Sequence, residues 1–307
     1  MPAPLPNRAP RKRLCQRLLK IGLILCLFFG LALWAITRVI APPMIVEPPR
    51  SGTDAQVPDG MELLNFELED GTSLTAWRKP LKTEVRSVII ILHGIGDSKA
   101  SHAGTLNSLA QRGIEGIAVD LRAHGQSGGL ASYGYHERHD ISLIIDSCKQ
   151  RHPEVSIGIW GISYGGAVAI QACAEDARLD FAIIESTFAN LTDMARQQVS
   201  NSGASLLSWI APLALDRAGE LANFDPGLVS PEKAVRSVKA SVLHFHGTRD
   251  ELIPFDHGQR ISDNGHSDRH RFVPIEGAGH YDIPQVDPER YHAEISDFLD
   301  QVTRVSS

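Results

Sequence analysis

The hydrophobic pattern opens with one long apolar segment near the start of the chain. Residues 21–36 contain no charge, and the apolar segment around them runs from residue 18 to residue 41. A helix of this length measures about 36 Å at a rise of ~1.5 Å per residue, which is enough to cross a hydrocarbon core of ~30 Å. A cleaved secretory signal would have a shorter apolar region and an A-x-A-like cleavage site. Here Pro42 follows Ala41 at the point where cleavage would fall. We therefore predict an uncleaved signal-anchor, a transmembrane helix over residues 18–41, with a cleaved signal as the alternative.

The charges on either side of this segment predict its orientation. The first forty residues contain no acidic residue and seven basic ones, namely Arg8, Arg11, Lys12, Arg13, Arg17, Lys20 and Arg38. Positive charge concentrates on the cytoplasmic side of a membrane span. Because six of the seven precede the uncharged run, the sequence predicts a basic cytoplasmic tail at 1–17. The rest of the chain is then expected on the exoplasmic (periplasmic or lumenal) side of a single-pass membrane protein.

A proline-rich segment follows the apolar one. Residues 42–60 contain Pro42, Pro43, Pro48, Pro49 and Pro58. Proline favours a stiff, extended backbone. The sequence therefore predicts a linker over 42–60 and a globular domain over 61–307.

Strand-like and helix-like segments alternate along this domain. The predicted strands are 62–68, 73–78, 87–92, 114–119, 155–160, 180–185, 238–245 and 271–275, and the predicted helices are 103–112, 138–151, 164–176 and 288–302. The first two strands bracket the hairpin signal Asp70-Gly71, and the apolar, β-branched run 87–92 is typical of a strand buried on both faces. This order predicts an α/β fold with a mostly parallel central sheet and helices on both faces. The interval 187–235 is too long for a connection and predicts an inserted helical cap.

Composition excludes several classes of protein. With 43% hydrophobic and 21% charged residues, the chain is not broadly disordered, and four cysteines are too few for a disulfide scaffold. After the seven basic residues of the N-terminal segment, 23 basic against 36 acidic residues leave a net charge of −13, which argues against a nucleic-acid partner. The histidine pairs lack a third ligand at zinc spacing, so we predict no metal and no cofactor.

The candidate nucleophile lies between a predicted strand and a predicted helix. Residues 161–165 read Gly-Ile-Ser-Tyr-Gly, a G-x-S-x-G pattern with Ser163 at its centre. In this setting the turn strains the serine backbone, and only glycine-sized neighbours avoid a clash. The hydroxyl is expected at the carboxyl end of the sheet, beside a helix N-terminus.

A serine nucleophile needs a base, and the base needs an orienting carboxylate. Asp250 and His280 each follow a predicted strand, so we expect both at the edge of the sheet where Ser163 projects. The chain order Ser, Asp, His is typical of this architecture. The alternative acids are Glu185 first, then Glu251 and Asp282.

Two backbone amides are expected to stabilise the oxyanion that forms on attack. One is the N–H of Tyr164, directly after the nucleophile. The other is the N–H of Ile95 in the loop after strand 87–92, where Gly94 and Gly96 let the backbone approach a substrate.

These motifs carry a family resemblance. Residues 61–307 resemble the α/β-hydrolase superfamily through an HG-x loop (93–95), the G-x-S-x-G elbow (161–165), an Asp loop (246–254) and a G-x-G-H loop (277–280). The segment 120–127 resembles the D-x-R-x-H-G-x-S loop of that superfamily and is read as structural. Within the superfamily, the chain is similar to membrane-anchored esterase- or lysophospholipase-like members, and also to dienelactone hydrolases and prolyl-oligopeptidase domains. The cap sequence departs from these patterns.

The resemblance implies a serine hydrolase that cleaves a small-molecule or lipid-derived carboxylic ester, or a thioester, through an acyl-enzyme. A peptidase or amidase of the prolyl-oligopeptidase type is the alternative, and a non-catalytic, membrane-tethered interaction domain is another. Cap and pocket are expected to set the substrate. The apolar stretch 206–213 in the cap is predicted to pack on the domain or, alternatively, to contact an acyl chain or the membrane.

Overall fold

The computed structural model describes residues 9–303. Residues 1–8, with Arg8 of the predicted basic tail, and residues 304–307 lie outside the described residues. The described chain begins with helix α1 (Ala9–Ala35), which continues through a π-helical turn (Ile36–Ile40) into α2 (Ala41–Val46). Leu14–Val46 is the one helix of the described residues that is long and apolar enough to cross a membrane, with a mean hydropathy of 2.4.

Eight strands form one sheet, which confirms the predicted α/β-hydrolase fold. They are β1 (Glu62–Glu67), β2 (Ser73–Lys79), β3 (Ser87–Leu92), β4 (Ile114–Val119), β5 (Ser156–Ile162), β6 (Leu179–Glu185), β7 (Ser241–Gly247) and β8 (His270–Ile275). Their spatial order is β1-β2-β4-β3-β5-β6-β7-β8. The hairpin strand β2 pairs antiparallel with β1 and β4, whereas β3 to β8 run parallel to one another. The carboxyl ends of the parallel strands therefore meet at one edge.

Helices cover both faces of this sheet. They are α3 (Ala103–Gln111), α4 (Glu137–Arg151), α5 (Tyr164–Glu175), α6 (Leu191–Val199), α7 (Ala211–Ala222), α8 (Pro231–Ala234), α9 (Phe255–Asn264), α10 (Ile283–Val286) and α11 (Pro288–Val302). The sequence did not predict α9, since only two of its ten residues, Phe255 and Ile261, are large and apolar. Gly258 is needed there because a Cβ would meet the ring of His246.

Successive side chains along a strand point to opposite faces of the sheet, so the buried side chains belong to two cores, one on each face. On β3, Val88, Ile90 and Leu92 belong to the core beneath α4 and α5. Ile89 and Ile91, from the same strand, belong to the core beneath α3 and α11. Since β3 is buried on both faces, its uninterrupted apolar run has a direct structural cause.

Helices α6 to α8, joined by short helical turns, fill the interval where the sequence predicted a helical cap. Helix α7 packs against α2 and against the π-helical turn before it. Val46 at the end of α2 is buried, and Arg38 lies 3.7 Å from Glu220 of α7 (Nη1 to Oε1). The apolar N-terminal helix is thus docked on the cap.

The helical conformation of residues 42–46 differs from the extended linker predicted over 42–60. Pro42 and Pro43 directly follow the π-helical turn, whose wider hydrogen bonds, such as that from the Ala41 N–H to the Ile36 carbonyl oxygen, let the helix pass residues that lack an N–H. The chain leaves the helix at Glu47, and Arg50 then donates to the carbonyl oxygen of Ser127 at 2.8 Å.

Candidate active site

Ser163 lies in the sharp turn between β5 and α5. Its backbone has φ 54° and ψ −112°, a conformation that is strained for a residue with a side chain. A Cβ on Gly165 would collide with the carbonyl of Leu92, and a Cβ on Gly161 would collide with the carbonyl of Gly165. The chain can therefore make this turn because neither flanking glycine has a side chain. The Ser163 N–H donates to the carbonyl oxygen of Glu185 on β6 at 2.8 Å.

The structure brings Ser163, His280 and Asp250 together in one hydrogen-bonded chain. His280 Nε2 lies 3.0 Å from Ser163 Oγ, and His280 Nδ1 lies 2.7 Å from Asp250 Oδ2. Because a carboxylate only accepts, Nδ1 carries the proton and Nε2 is left to accept from the serine hydroxyl. This is the geometry that a serine nucleophile with its general base requires.

The loop after β7 holds Asp250 in this orientation. The carboxylate is 5% exposed, and its second oxygen, Oδ1, accepts from the N–H groups of Leu252 at 3.0 Å and Ile253 at 2.8 Å. The cap braces the same loop, since Gln198 donates to the Leu252 carbonyl oxygen at 2.9 Å and Asn201 donates to that of Glu251 at 2.7 Å.

The alternative acids have other surroundings. Glu185 accepts from Trp160 Nε1 at 2.6 Å and from the Tyr291 hydroxyl at 2.8 Å. Burial raises the pKa of the Glu185 carboxyl, and these two hydrogen bonds oppose that rise. Asp282 accepts from the Gly279 N–H at 2.7 Å, and Glu251 is exposed. Of the candidate acids, Asp250 is the one that contacts His280 within the described chain.

The two amides predicted to bind an oxyanion belong to adjacent segments. Tyr164 is the first residue of α5, and Ile95 lies in the loop after β3. The elbow is tied to that loop, because the Gly165 N–H donates to the His93 carbonyl oxygen at 3.1 Å. Neither the Ile95 nor the Tyr164 amide donates a hydrogen bond within residues 9–303, so both are available to a ligand.

Glu137 is a buried residue that no sequence motif indicated, and its carboxylate contacts Tyr164, the residue after the nucleophile. Glu137 Oε1 accepts from the Tyr164 hydroxyl at 2.8 Å, and Oε2 accepts from the Ser132 hydroxyl at 2.5 Å and the Gly134 N–H at 2.8 Å. Burial raises the pKa of the Tyr164 phenol well above its usual range. The ring therefore stays neutral and fixes the first turn of α5.

Ser163 and His280 open onto a cavity of about 1080 Å³. Apolar side chains from three parts of the fold form much of its wall, namely Ile91 and Trp160 of the sheet, Leu109 of α3, and Ile295 and Leu299 of α11. Among the described residues that line the cavity, none comes from the interval 187–235. From the sequence, cap and pocket were both expected to set the substrate, whereas the walls of this cavity come from the sheet, α3, α10 and α11.

Comparison with known proteins gives matches in one superfamily. A family model described as serine aminopeptidase, S33, matches residues 83–236. The uncharacterized protein YqkD of Bacillus subtilis is 25% identical over 223 residues, which cover 70% of this chain and 72% of YqkD. The lysophosphatidylserine lipase ABHD12 of Bos taurus is 25% identical over 201 residues, which cover 60% of this chain and 47% of that protein.

A solved structure confirms the likeness in fold. The esterase Pf2001 of Pyrococcus furiosus superposes with a TM-score of 0.69 at 24% sequence identity, covering 85% of this chain and 99% of the esterase. At this level of identity the similarity establishes the architecture.

Proposed function

Because the chain belongs to the serine aminopeptidase S33 family of α/β-hydrolases, we propose that this hydrolase cleaves carboxylic esters through an acyl-enzyme formed on Ser163. The observation that carries the proposal is the hydrogen-bonded chain Ser163–His280–Asp250 beside two unpaired amides. Nucleophile, base, orienting acid and oxyanion donors are the four parts that acyl transfer by a serine requires.

In the first half-reaction, Ser163 Oγ attacks the ester carbonyl carbon while His280 Nε2 takes the hydroxyl proton. The N–H groups of Ile95 and Tyr164 donate to the carbonyl oxygen as it becomes negative. The intermediate then expels the alcohol, which receives its proton from His280 Nε2. Asp250 keeps the Nδ1 proton in place and stabilises the imidazolium.

In the second half-reaction, water attacks the acyl-enzyme. His280 takes a proton from the water and returns one to Ser163 Oγ as the acid leaves. The same two amides serve the second oxyanion, so each group acts twice and the free enzyme is regenerated.

The largely apolar cavity supports an ester with a hydrocarbon part as the substrate. ABHD12 is named a lysophosphatidylserine lipase and Pf2001 an esterase, and both names agree with this class. The description of the S33 family favours a second candidate, hydrolysis of an amide by the same residues.

We also propose that residues 18–41 anchor the enzyme in a membrane with the catalytic domain on the exoplasmic side. The length of the apolar helix and the charges before it support this arrangement. Docking of α2 on the cap would then hold the domain close to the bilayer, where lipid-derived esters are available.

The purified full chain in detergent provides the test. Its hydrolysis of p-nitrophenyl esters of graded chain length is measured in parallel with that of a peptide p-nitroanilide. We expect ester hydrolysis that Ser163→Ala reduces by about 10³-fold or more. Cleavage of the anilide alone would select the amide candidate. Ester hydrolysis that survives in folded Ser163→Ala protein would refute the assignment.

A further inference from the structure

The catalytic cavity contains one buried carboxyl group that the mechanism above does not use. Glu185 at the end of β6 is 5% exposed, and its side chain lines the cavity together with Ser163 and His280. It is close to the nucleophile, because its backbone pairs with Ile162 and its carbonyl oxygen accepts from the Ser163 N–H.

The two oxygens of this carboxyl group have different surroundings. Oε1 accepts both hydrogen bonds, from Trp160 Nε1 and from the Tyr291 hydroxyl. Oε2 accepts none within residues 9–303, and it is not enclosed by protein, so it faces the cavity. One oxygen is sufficient to tie Trp160 to Tyr291. The other is left as an acceptor on the side of the cavity.

When it is ionised, this group has no compensating charge in the protein. No arginine or lysine within the described chain forms an ion pair with Glu185, and neither of its hydrogen-bond donors is charged. A buried carboxylate without a cation is costly, and a ligand that supplies a donor recovers part of that cost.

We propose that Glu185 Oε2 is a specificity subsite that binds a hydrogen-bond-donating group of the substrate, a hydroxyl or an ammonium, carried on an otherwise apolar acyl or alcohol part. This inference rests on the proposed ester hydrolysis. The apolar walls at Trp160 and Ile162 flank the carboxyl group, so the site combines hydrocarbon contact with a single acceptor. Such a site discriminates strongly against substrates that leave the buried polar group unpaired.

Glu185→Gln inverts the polarity of this subsite with little change of shape. The Trp160 N–H and the Tyr291 O–H both need an acceptor, so the glutamine carbonyl oxygen must take the place of Oε1. Its NH₂ group then occupies the position of Oε2 and presents a donor to the cavity. If Glu185 had only a structural role, this variant would keep the substrate preference of the wild type.

The experiment compares four p-nitrophenyl esters of equal chain length that end in ammonium, hydroxyl, methoxy or methyl. In mildly alkaline buffer, which favours the ionised carboxyl, we expect wild-type kcat/KM for the ammonium or the hydroxyl ester to exceed that for the methyl ester by roughly tenfold or more. Glu185→Gln should remove this preference and shift it toward the methoxy ester. The exposed Glu276, which does not line the cavity, gives the matched control Glu276→Gln, which should keep the wild-type order.

Preference for ammonium alone identifies a cation as the favoured group, and preference for both donors identifies hydrogen bonding. Equal rates for all four esters in the wild type, or an unchanged order in Glu185→Gln, would overturn the subsite. The wild-type comparison stands even if the variant fails to fold.

Affinities of the same esters for Ser163→Ala protein, measured by ligand-observed NMR, separate the two proposals. If the wild type cleaves none of the esters but Ser163→Ala protein binds the donor-bearing ones more tightly, the proposed function fails and the subsite stands. If the esters are cleaved without preference, the function stands and the subsite fails.

Discussion

The two carboxylate oxygens of Asp250 have different hydrogen-bond partners. One oxygen of the carboxylate accepts from His280, and the other accepts from two backbone amides of its own loop. The amides prevent the carboxylate from rotating away from the imidazole. The orientation of the general base is thus fixed by a loop of the sheet edge and by the cap that braces it.

Asp250→Asn should lower kcat for a p-nitrophenyl ester by about 10⁴-fold, because an amide in this position no longer favours the Nδ1–H tautomer of His280. The neighbouring Glu251 is exposed and provides the matched control, Glu251→Gln, whose kcat should stay within about twofold of wild type, as expected for a surface substitution. If Asp250→Asn retained activity within tenfold of wild type, a different acid would have to orient His280.

At the residue scale, sequence motifs predicted the groups that do chemistry better than the groups that support them. Ser163, Asp250 and His280 each follow a strand within a recognisable short pattern. The supporting contacts join distant elements with no local pattern, as between Tyr291 and Glu185, which are 106 residues apart. The same holds for the hydrogen bond between Tyr164 and Glu137, which joins α5 to α4.

Among the elements, the nucleophile turn leaves no room for a side chain at its flanking glycines. Gly165→Ala places a Cβ against the carbonyl of Leu92. We expect this to lower the free energy of unfolding by about 1–3 kcal/mol, the usual cost of overpacking. Urea denaturation measures the change.

Gly104→Ala in the first turn of α3 is the matched control, since an added Cβ there meets no atom within 4 Å. Its stability should equal or slightly exceed that of the wild type because alanine favours the helix. Equal stability of the Gly165→Ala protein and the wild type would show that the turn is less tightly packed than described.

The elements that the sequence predicted are those with an uninterrupted apolar pattern. Strand β3 and helix α11 match their predicted bounds for this reason. Helix α2 was missed because prolines usually indicate an extended chain, whereas here they follow a π-helical turn through which the helix continues. Helix α9 was missed because it has only two large apolar residues, Phe255 and Ile261, and packs against β7 through a short apolar face.

For the whole molecule, docking of the apolar helix on the cap connects the predicted anchor to the catalytic domain. We predict that a protease added to intact cells expressing the full chain digests the domain and leaves the first twenty residues protected. The charge distribution around the apolar helix is the physical reason. A domain that resists the protease until the membrane is permeabilised would indicate the opposite orientation.

Buried histidines should make the whole fold sensitive to acid. Burial lowers the pKa of His270 to about 4 and that of His93 to about 3. In the unfolded chain, histidine titrates near pH ~6.5. The unfolded state therefore takes up protons first as the pH falls, so stability is complete above that value and is lost progressively down to the folded-state pKa.

His270 alone should contribute a loss of about 3 kcal/mol between pH ~7 and pH ~4. Urea denaturation at a series of pH values measures this loss. His270→Gln can still donate to His244 Nδ1 but does not titrate, and its stability should fall less steeply over the same range. An identical pH dependence in the variant and the wild type would exclude His270 as a source of the acid sensitivity.

If Ser163 is the nucleophile of this hydrolase, a covalent inhibitor of serine hydrolases must react at this residue. The full chain is treated with a fluorophosphonate, digested, and mapped by mass spectrometry. We predict one phosphonyl group on the peptide that contains Ser163, formed rapidly in the wild type, slowly in Asp250→Asn and not at all in Ser163→Ala. A folded wild-type protein that takes up no label, or that carries it on a different serine, would contradict the account.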